Sequence, residues 1–248
     1  MKKIYFASDM HFGSDAFEDP SITEKRFVRW LDVIKHDAGA LYLLGDVFDF
    51  WYEYKYVIPR GFTRFLGKIA EMSDSGIEIH FFTGNHDVWI YDYLPSELGI
   101  TLHKEPFLTE LNGKKCYLAH GDGLGDHSRS FHFIRRIFHN KICQVLFSAI
   151  HPRWGIAFAR IWSRYSRKTG LLNPEDYLGE DREYLVLFAK EYLKHHPEIN
   201  YFIFGHRHIL LDLSLSHESR VLILGDWLNY FSYAVLDGEQ MSLEQFEE

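Results

Sequence analysis

The chain has 248 residues, 46% of them hydrophobic and 25% charged, and a formal net charge of −8 at pH 7. Those are the values of a globular protein able to bury a sizeable core, and they exclude a low-complexity or disordered chain. Its two cysteines, Cys116 and Cys143, cannot build a disulfide framework, and no apolar run approaches the ~20 residues of a transmembrane helix.

In chain order, Met1-Lys2-Lys3 begins like a signal peptide, but the apolar run behind it stops at Asp9, too short for an h-region. A cytoplasmic protein with reduced, buried thiols is expected. Residues 3–8 predict a strand and 22–36 a helix, with Phe27, Trp30, Leu31 and Ile34 on one face. Residues 40–44 predict a second strand, followed by an aromatic loop (Trp51, Tyr52, Tyr54, Tyr56) broken at Pro59. A helix is expected over 60–73, a turn at Ser73-Asp74-Ser75-Gly76 and a third strand over 77–83. This alternation is an α/β pattern. Residues 101–119, with Asn112-Gly113 near their end, predict a hairpin. Two helical runs follow, one from Phe131 to Ala149 and one from Ile156 to Tyr165, separated by Pro152. A helix over 181–195, a strand over 200–204 and a terminal β pair, Val221–Gly225 with Tyr230–Leu236, complete the chain.

Five of the strand-like runs end in chemistry. They deliver Asp9 and His11; Asp46 and Asp49; Asn85, His86 and Asp87; His120 and Asp122; and His206 and His208. The carboxyl ends of parallel strands are where an α/β sheet presents functional groups, so these side chains are expected to converge on one edge. Asp46 is the natural centre, because a carboxylate can bridge two cations and an imidazole nitrogen holds one. Oxygen and nitrogen donors without thiolates suit Mn²⁺, Fe²⁺ or Zn²⁺ and argue against a structural zinc site. Two such ions would clamp the attacking and leaving oxygens of a displacement at phosphorus.

Ser8-Asp9-Met10-His11, Gly45-Asp46-x-x-Asp49, Gly84-Asn85-His86-Asp87, His120-Gly121-Asp122 and Gly205-His206-Arg207-His208 together resemble the motifs of the calcineurin-like metallophosphoesterases. The resemblance implies a two-sheet αββα sandwich holding two divalent metals, Mn²⁺ before Fe²⁺ or Zn²⁺. It assigns Asp9, His11, Asp46 and His208 to one ion and Asp46, Asn85, His120 and His206 to the other. His86 would be the catalytic group that stabilises the transition state or protonates the leaving oxygen.

A narrower resemblance rests on Gly45-Asp46-Val47-Phe48-Asp49-Phe50-Trp51 and on the segment after His120, from Phe133-Ile134-Arg135-Arg136 to Ser166-Arg167-Lys168. Both are similar to the UDP-2,3-diacylglucosamine diphosphatases of lipid A biosynthesis, where a helical lid holds two acyl chains. It implies a lid over 127–174 inserted into a core of 1–126 and 175–248. Substrate contacts would come from Asn85, His86, Ser166, Arg167, Lys168 and His206. The products would be UMP and 2,3-diacylglucosamine 1-phosphate, and the protein would be peripheral on the cytoplasmic face of the inner membrane. Many members carry Asn-Arg where this chain has Asn85-His86.

Charge supports a lid. Residues 127–174 hold nine Lys and Arg and no acid; taking those nine from the chain's 27 leaves 18 against 35 acids elsewhere, a balance of −17. A cationic segment carrying Phe, Trp and Ile suits an anionic lipid better than a nucleic acid, although an ordinary helical subdomain would also have solvated basic faces. The competing readings are a phosphoesterase on another phosphodiester or nucleotide, and a binding module that keeps the fold without catalysis. Asp49 could orient a ligand or be solvated, Asp122 could cap the next helix but is expected to hold a ligand histidine, and Asp226 is read as a turn residue. The aromatic loop serves equally as packing or as a uridine shelf.

Overall fold

The computed structural model describes residues 2–15, 17–125, 129–158, 161 and 177–247. Eleven strands among them form two sheets. One has the order β11-β10-β1-β2-β3-β4, from β1 (Lys3–Ala7), β2 (Ala38–Leu44), β3 (Glu78–Phe82), β4 (Thr101–His103), β10 (Ser232–Asp237) and β11 (Gln240–Gln245). The other has the order β5-β6-β7-β9-β8, from β5 (Phe107–Leu111), β6 (Lys114–Ala119), β7 (Tyr201–Phe204), β8 (Leu210–Ser214) and β9 (Arg220–Leu224).

The sequence alternation builds the layers. Ile4 and Phe6 of β1 face the second sheet, in one cluster with Tyr42, Leu44, Phe82, Leu118, Ile203 and Leu222. Tyr5 and Ala7, one residue out of phase, face α1 (Ser21–Ile34) and α2 (Thr63–Asp74) through Phe27, Trp30, Phe65 and Ile69. On the far side, Tyr117, Phe202 and Phe204 pack against Leu185, Val186 and Ala189 of α6 (Tyr184–His195). The result is the expected αββα sandwich. The strands that carry the motifs are parallel within each sheet, β1 to β2 to β3 and β6 to β7, so their carboxyl ends share an edge.

Several expectations change. Residues 101–119 are not one hairpin: β4 closes the first sheet beside β3, and β5 and β6 pair in the second around Asn112-Gly113, both at positive φ. Nor do the last two predicted strands pair with each other. β9 lies beside β7, while β10 lies against β1, so the two belong to sheets that face each other across one core, with Leu222 and Leu224 of one and Ala234 and Leu236 of the other in the same cluster. The edge strands β8 and β11 and the short helix α3 (Tyr93–Leu98) were not foreseen.

After His120 the helical run breaks once more than predicted. α4 (Arg129–His139) ends before Asn140, whose side chain accepts from the backbone N–H of Ile142 and Cys143 and so caps α5 (Lys141–Ser148). A further helical stretch spans 152–158. The aromatic loop packs against these helices. The Tyr52 hydroxyl donates to the Gln144 carbonyl at 2.7 Å, Trp89 Nε1 donates to the Phe138 carbonyl at 2.8 Å, and the rings of Tyr52, Trp89 and Phe147 interlock. Cys116 is buried and Cys143 only partly so; both are free thiols.

Candidate metal centre

Main-chain bonds tie the first motif loop to the second and the fourth to the fifth, and the Asn85 loop joins through His86 N donating to Asp46 Oδ1. Asp9 N donates to Gly45 O, His11 N to Asp46 O, and Gly205 N to His120 O. His206 N donates to the Asp9 carboxylate at 2.8 Å and joins the two sheets. Two glycines permit this closeness. A Cβ on Gly45, at φ +89°, would stand 2.6 Å from the His120 ring, and one on Gly205 would stand 2.6 Å from Asp9 Oδ2. Asp9, His11, Asp46, His206 and His208 all adopt positive φ, a left-handed strain held by the surrounding structure as is common at functional sites.

The side chains gather in two groups that meet at Asp46. Donor atoms of Asp9, His11 and His208 lie within 4.8 Å of one another, as do those of Asp46, His120 and His206. Asp46 Oδ2 stands 3.8 Å from His11 Nε2 and 3.4 Å from His120 Nε2, and Asn85 Oδ1 stands 3.3 Å from His120 Nε2. His86 joins His11 and Asp46 in a third grouping, its ring edge-on to His11. Every ligand expected from the sequence is therefore at one edge.

Backbone and carboxylate partners settle which ring nitrogens face the centre. His120 Nδ1 donates to the Leu44 carbonyl at 2.8 Å, so its Nε2 lone pair points at the oxygens of Asp46 and Asn85. His208 Nδ1 donates to Asp226 at 3.1 Å, leaving its Nε2 3.2 Å from His11 Nε2 and 3.4 Å from Asp9 Oδ1. Asp9 Oδ1 is buried with no hydrogen-bond partner. Imidazole nitrogens and carboxylate oxygens converging this closely, beside an unpartnered buried carboxylate oxygen, make a site for positive charge, and divalent cations fit.

Without such a charge, protons take the place. Burial opposes it, yet Asp49, Asp9 and Asp46 raise His11 to about 10, and Asp46 holds His120 well above its ordinary value. His206 goes the other way, lowered to about 4 by burial and by the charge of His120. Asp9 is lowered to about 2 because the His208, His11 and His120 rings outweigh its burial.

The supporting acids differ in part from expectation. Asp226 is more than a turn residue: besides accepting from the N–H groups of Leu228, Asn229 and Tyr230, it holds His208. Asp87, for which no separate role was expected, accepts from Gly84 N and Val47 N and locks two motif loops together. Burial, then Asp46, raises it to about 7. Asp49 Oδ1 lies 3.7 Å from His11 Nδ1 and 3.9 Å from His86 Nδ1, while its carbonyl accepts from His86 Nδ1 at 2.9 Å. Asp122 accepts from Arg135 Nε of α4 at 3.1 Å rather than from a ligand histidine. A recess of about 160 Å³ opens beside His120, walled by His103, Lys104, Asp122 and Arg135. Ser166, Arg167 and Lys168 lie outside the described residues.

Comparison with known proteins agrees with this geometry. The calcineurin-like phosphoesterase family matches residues 2–210. The chain is 49% identical to a UDP-2,3-diacylglucosamine hydrolase of Porphyromonas gingivalis, covering 99% of this chain and 98% of that one. It is 30% identical to the UDP-2,3-diacylglucosamine hydrolase of a serogroup B Neisseria meningitidis, with 96% of each chain covered. Among solved structures, a dimetal phosphatase from Danio rerio superimposes with a TM-score of 0.50 at 14% identity, over 98% of this chain and 95% of that one, a likeness of fold alone.

Proposed function

The chain belongs to the calcineurin-like phosphoesterase family, and from that premise we propose that this metal-dependent phosphoesterase cleaves the pyrophosphate of UDP-2,3-diacylglucosamine to UMP and 2,3-diacylglucosamine 1-phosphate. The observation that carries the reading is the near-full-length match to the Porphyromonas hydrolase, which runs through the helical insertion as well as the core. Asp9, His11, Asp46 and His208 hold one cation and Asp46, Asn85, His120 and His206 the other, with Mn²⁺ as the ion this donor set suits best. Bound there, the pair would supply positive charge to the phosphoryl oxygens and make a water acidic enough to lose its proton near neutral pH.

The residues do the rest. Asp46, buried and hydrogen-bonded through Oδ1 to His86 N, stays ionised because its neighbouring histidines hold it well below the usual carboxylate range despite burial. His86 commits Nδ1 to the Asp49 carbonyl, which leaves Nε2 to meet a phosphoryl or leaving oxygen, and only in its protonated form can Nε2 donate. Residues 127–174 form the lid, with Ser166, Arg167 and Lys168 as contacts to the substrate. Its described helices expose Phe133, Ile142, Val145, Leu146, Trp154 and Phe158 beside Arg136, Lys141 and Arg153, a surface suited to acyl chains and to an anionic bilayer face. Among the described residues no helix is long and apolar enough to cross a membrane, so contact with the cytoplasmic face of the inner membrane would be peripheral. The recess beside His120 offers Lys104 of the core, with Arg135 of the lid on its wall, to the anionic part of the substrate.

The test is product identity. Purified protein with Mn²⁺ and UDP-2,3-diacylglucosamine should release UMP and the lipid 1-phosphate in equal amounts. Release of UDP, or turnover of soluble nucleotides with none of the lipid, would reassign the substrate.

A further inference from the structure

Arg207 stands between two of the proposed ligands, His206 and His208, yet it belongs to a different part of the molecule. Arg207 Nε donates to Glu183 Oε1 at 2.7 Å and Nη2 to Oε2 at 2.9 Å, a two-pronged pair in which both residues have 0% exposure. The guanidinium carbon lies 5.7 Å from the centre of the Tyr184 ring. Glu183 immediately precedes α6, the helix by which the chain re-enters the core after the insertion. The outgoing end passes the same place, since a Cβ on Gly125 would stand 2.8 Å from the Tyr184 carbonyl. Both ends of the insertion therefore meet next to the partner of Arg207.

A fully buried ion pair is weak support for stability, because well-packed apolar side chains of similar size usually serve as well. What a forked pair supplies is fixed geometry. Geometry is demanding at this loop. His206 and His208 have φ of +69° and +51°, and the turn between them is closed by Arg207 N donating to Gly205 O at 2.8 Å. Neither histidine is a glycine, so their conformations persist only where something outside the loop holds them. The two rings go to different clusters, His208 to Asp9 and His11 and His206 to Asp46 and His120. A single anchor between them thus acts on both.

We propose that the Arg207–Glu183 pair is a positioning clasp: it holds the His206–His208 turn so that both rings meet their cations, and it fixes that turn to the neck of the helical insertion. The inference rests on the reading of His206 and His208 as ligands. A pair with a merely structural role would set the melting temperature of the metal-free protein and leave the affinity of the folded protein for metal unchanged.

The experiment compares Arg207→Lys, Glu183→Gln and the double variant Arg207→Met/Glu183→Leu with the unaltered full chain. Each is stripped of metal, its melting temperature is recorded, and Mn²⁺ affinity at both sites is measured by competition with a chelating dye. Arg207→Lys keeps the charge but loses the fork, and Mn²⁺ binding should weaken about 10–100-fold at both sites, the range found when a group supporting a ligand is removed. The double variant removes both buried charges together and should melt close to the unaltered protein while showing the same loss. Affinities within twofold of the unaltered protein in any folded variant would overturn the clasp. So would a double variant that recovers stability and affinity together. His206→Ala and His208→Ala are measured alongside: if both ions remain bound in those, the ligand assignment itself falls and the clasp with it.

Discussion

The sandwich core and the helical insertion obey opposite packing rules. In the core, Phe6, Leu43, Phe81, Ile203 and Leu222 are essentially removed from water, and each motif loop is bonded to another. In the insertion, Ile142 is 70% exposed and Trp154 67%, although burying such a side chain is worth about 1.5–3 kcal/mol. Among the described residues the seam between insertion and core joins Tyr52 to Gln144, Trp89 to Phe138 and Asp122 to Arg135, with Phe147 packed on Phe50, Tyr52 and Trp89. Apolar surface left uncovered beside a completed core marks an interaction surface, which the proposed function gives to the acyl chains and the membrane face. On that proposal, chemistry belongs to the core and substrate choice to the insertion.

The largest effect belongs to the core. Asp46→Ala removes the carboxylate that both clusters face, and it should abolish hydrolysis of every substrate along with tight binding of two ions; metal analysis and turnover on one preparation check this. Retention of two ions and activity would place the bridge elsewhere. His86→Ala comes next. It should slow turnover ~10²–10⁴-fold, as for loss of a general acid, with little change in metal content. Since His86 lies in the core, the lipid substrate and a small diester should lose activity alike, and a loss confined to the lipid would move His86 to the substrate-binding half.

Effects at the seam should be smaller and selective. Tyr52→Phe keeps the ring and deletes one hydrogen bond to the insertion, a contribution of about 0.5–1.5 kcal/mol, and Trp89→Phe deletes another together with part of the ring packing around it. The KM for the diacylated substrate should rise several-fold, while kinetics with bis-p-nitrophenyl phosphate stay as they were. An equal change with both substrates would mean that the seam serves the core.

The smallest effect is on stability against pH. His80 Nδ1 and His103 Nε2 share a hydrogen bond at 3.0 Å within a stack containing Tyr42, Phe82 and Phe107, with Glu78 3.9 Å from His80. Burial lowers His103 to about 4, and His80 is lowered as well. A depressed folded-state pKa means that the unfolded chain binds more protons between the two values. The pair's contribution is therefore fully present above pH ~6.5 and is lost as the pH falls toward about 4. His103→Phe should flatten that part of the melting-temperature curve by a few degrees; an unchanged slope would show that other groups carry it.

Most of the centre was legible because each ligand follows an apolar strand, and parallel strands bring their ends together whatever lies between them. Asp226 was not, since a Gly-Asp turn reads the same whether or not its strand lies beside β7, where His208 begins. The same gap explains the last strands: apolar alternation gives a strand a buried face without saying which of two sheets it joins. β8 alternates exposed and half-buried residues at a sheet edge, so its apolar signal is weak. The break at Asn140 was hidden because α4 and α5 carry apolar residues on both sides of it. The left-handed backbone of Asp9, His11, Asp46, His206 and His208 leaves no mark in residues that are not glycine.

The division of labour between core and insertion is tested most directly by replacing residues 127–174 with a short Gly/Ser loop and measuring kcat/KM for two substrates side by side, with folding and metal content verified. Hydrolysis of bis-p-nitrophenyl phosphate should survive while hydrolysis of UDP-2,3-diacylglucosamine falls sharply. A folded, metal-loaded protein that cleaves both as before would contradict that division and would assign the enzyme to a soluble phosphodiester.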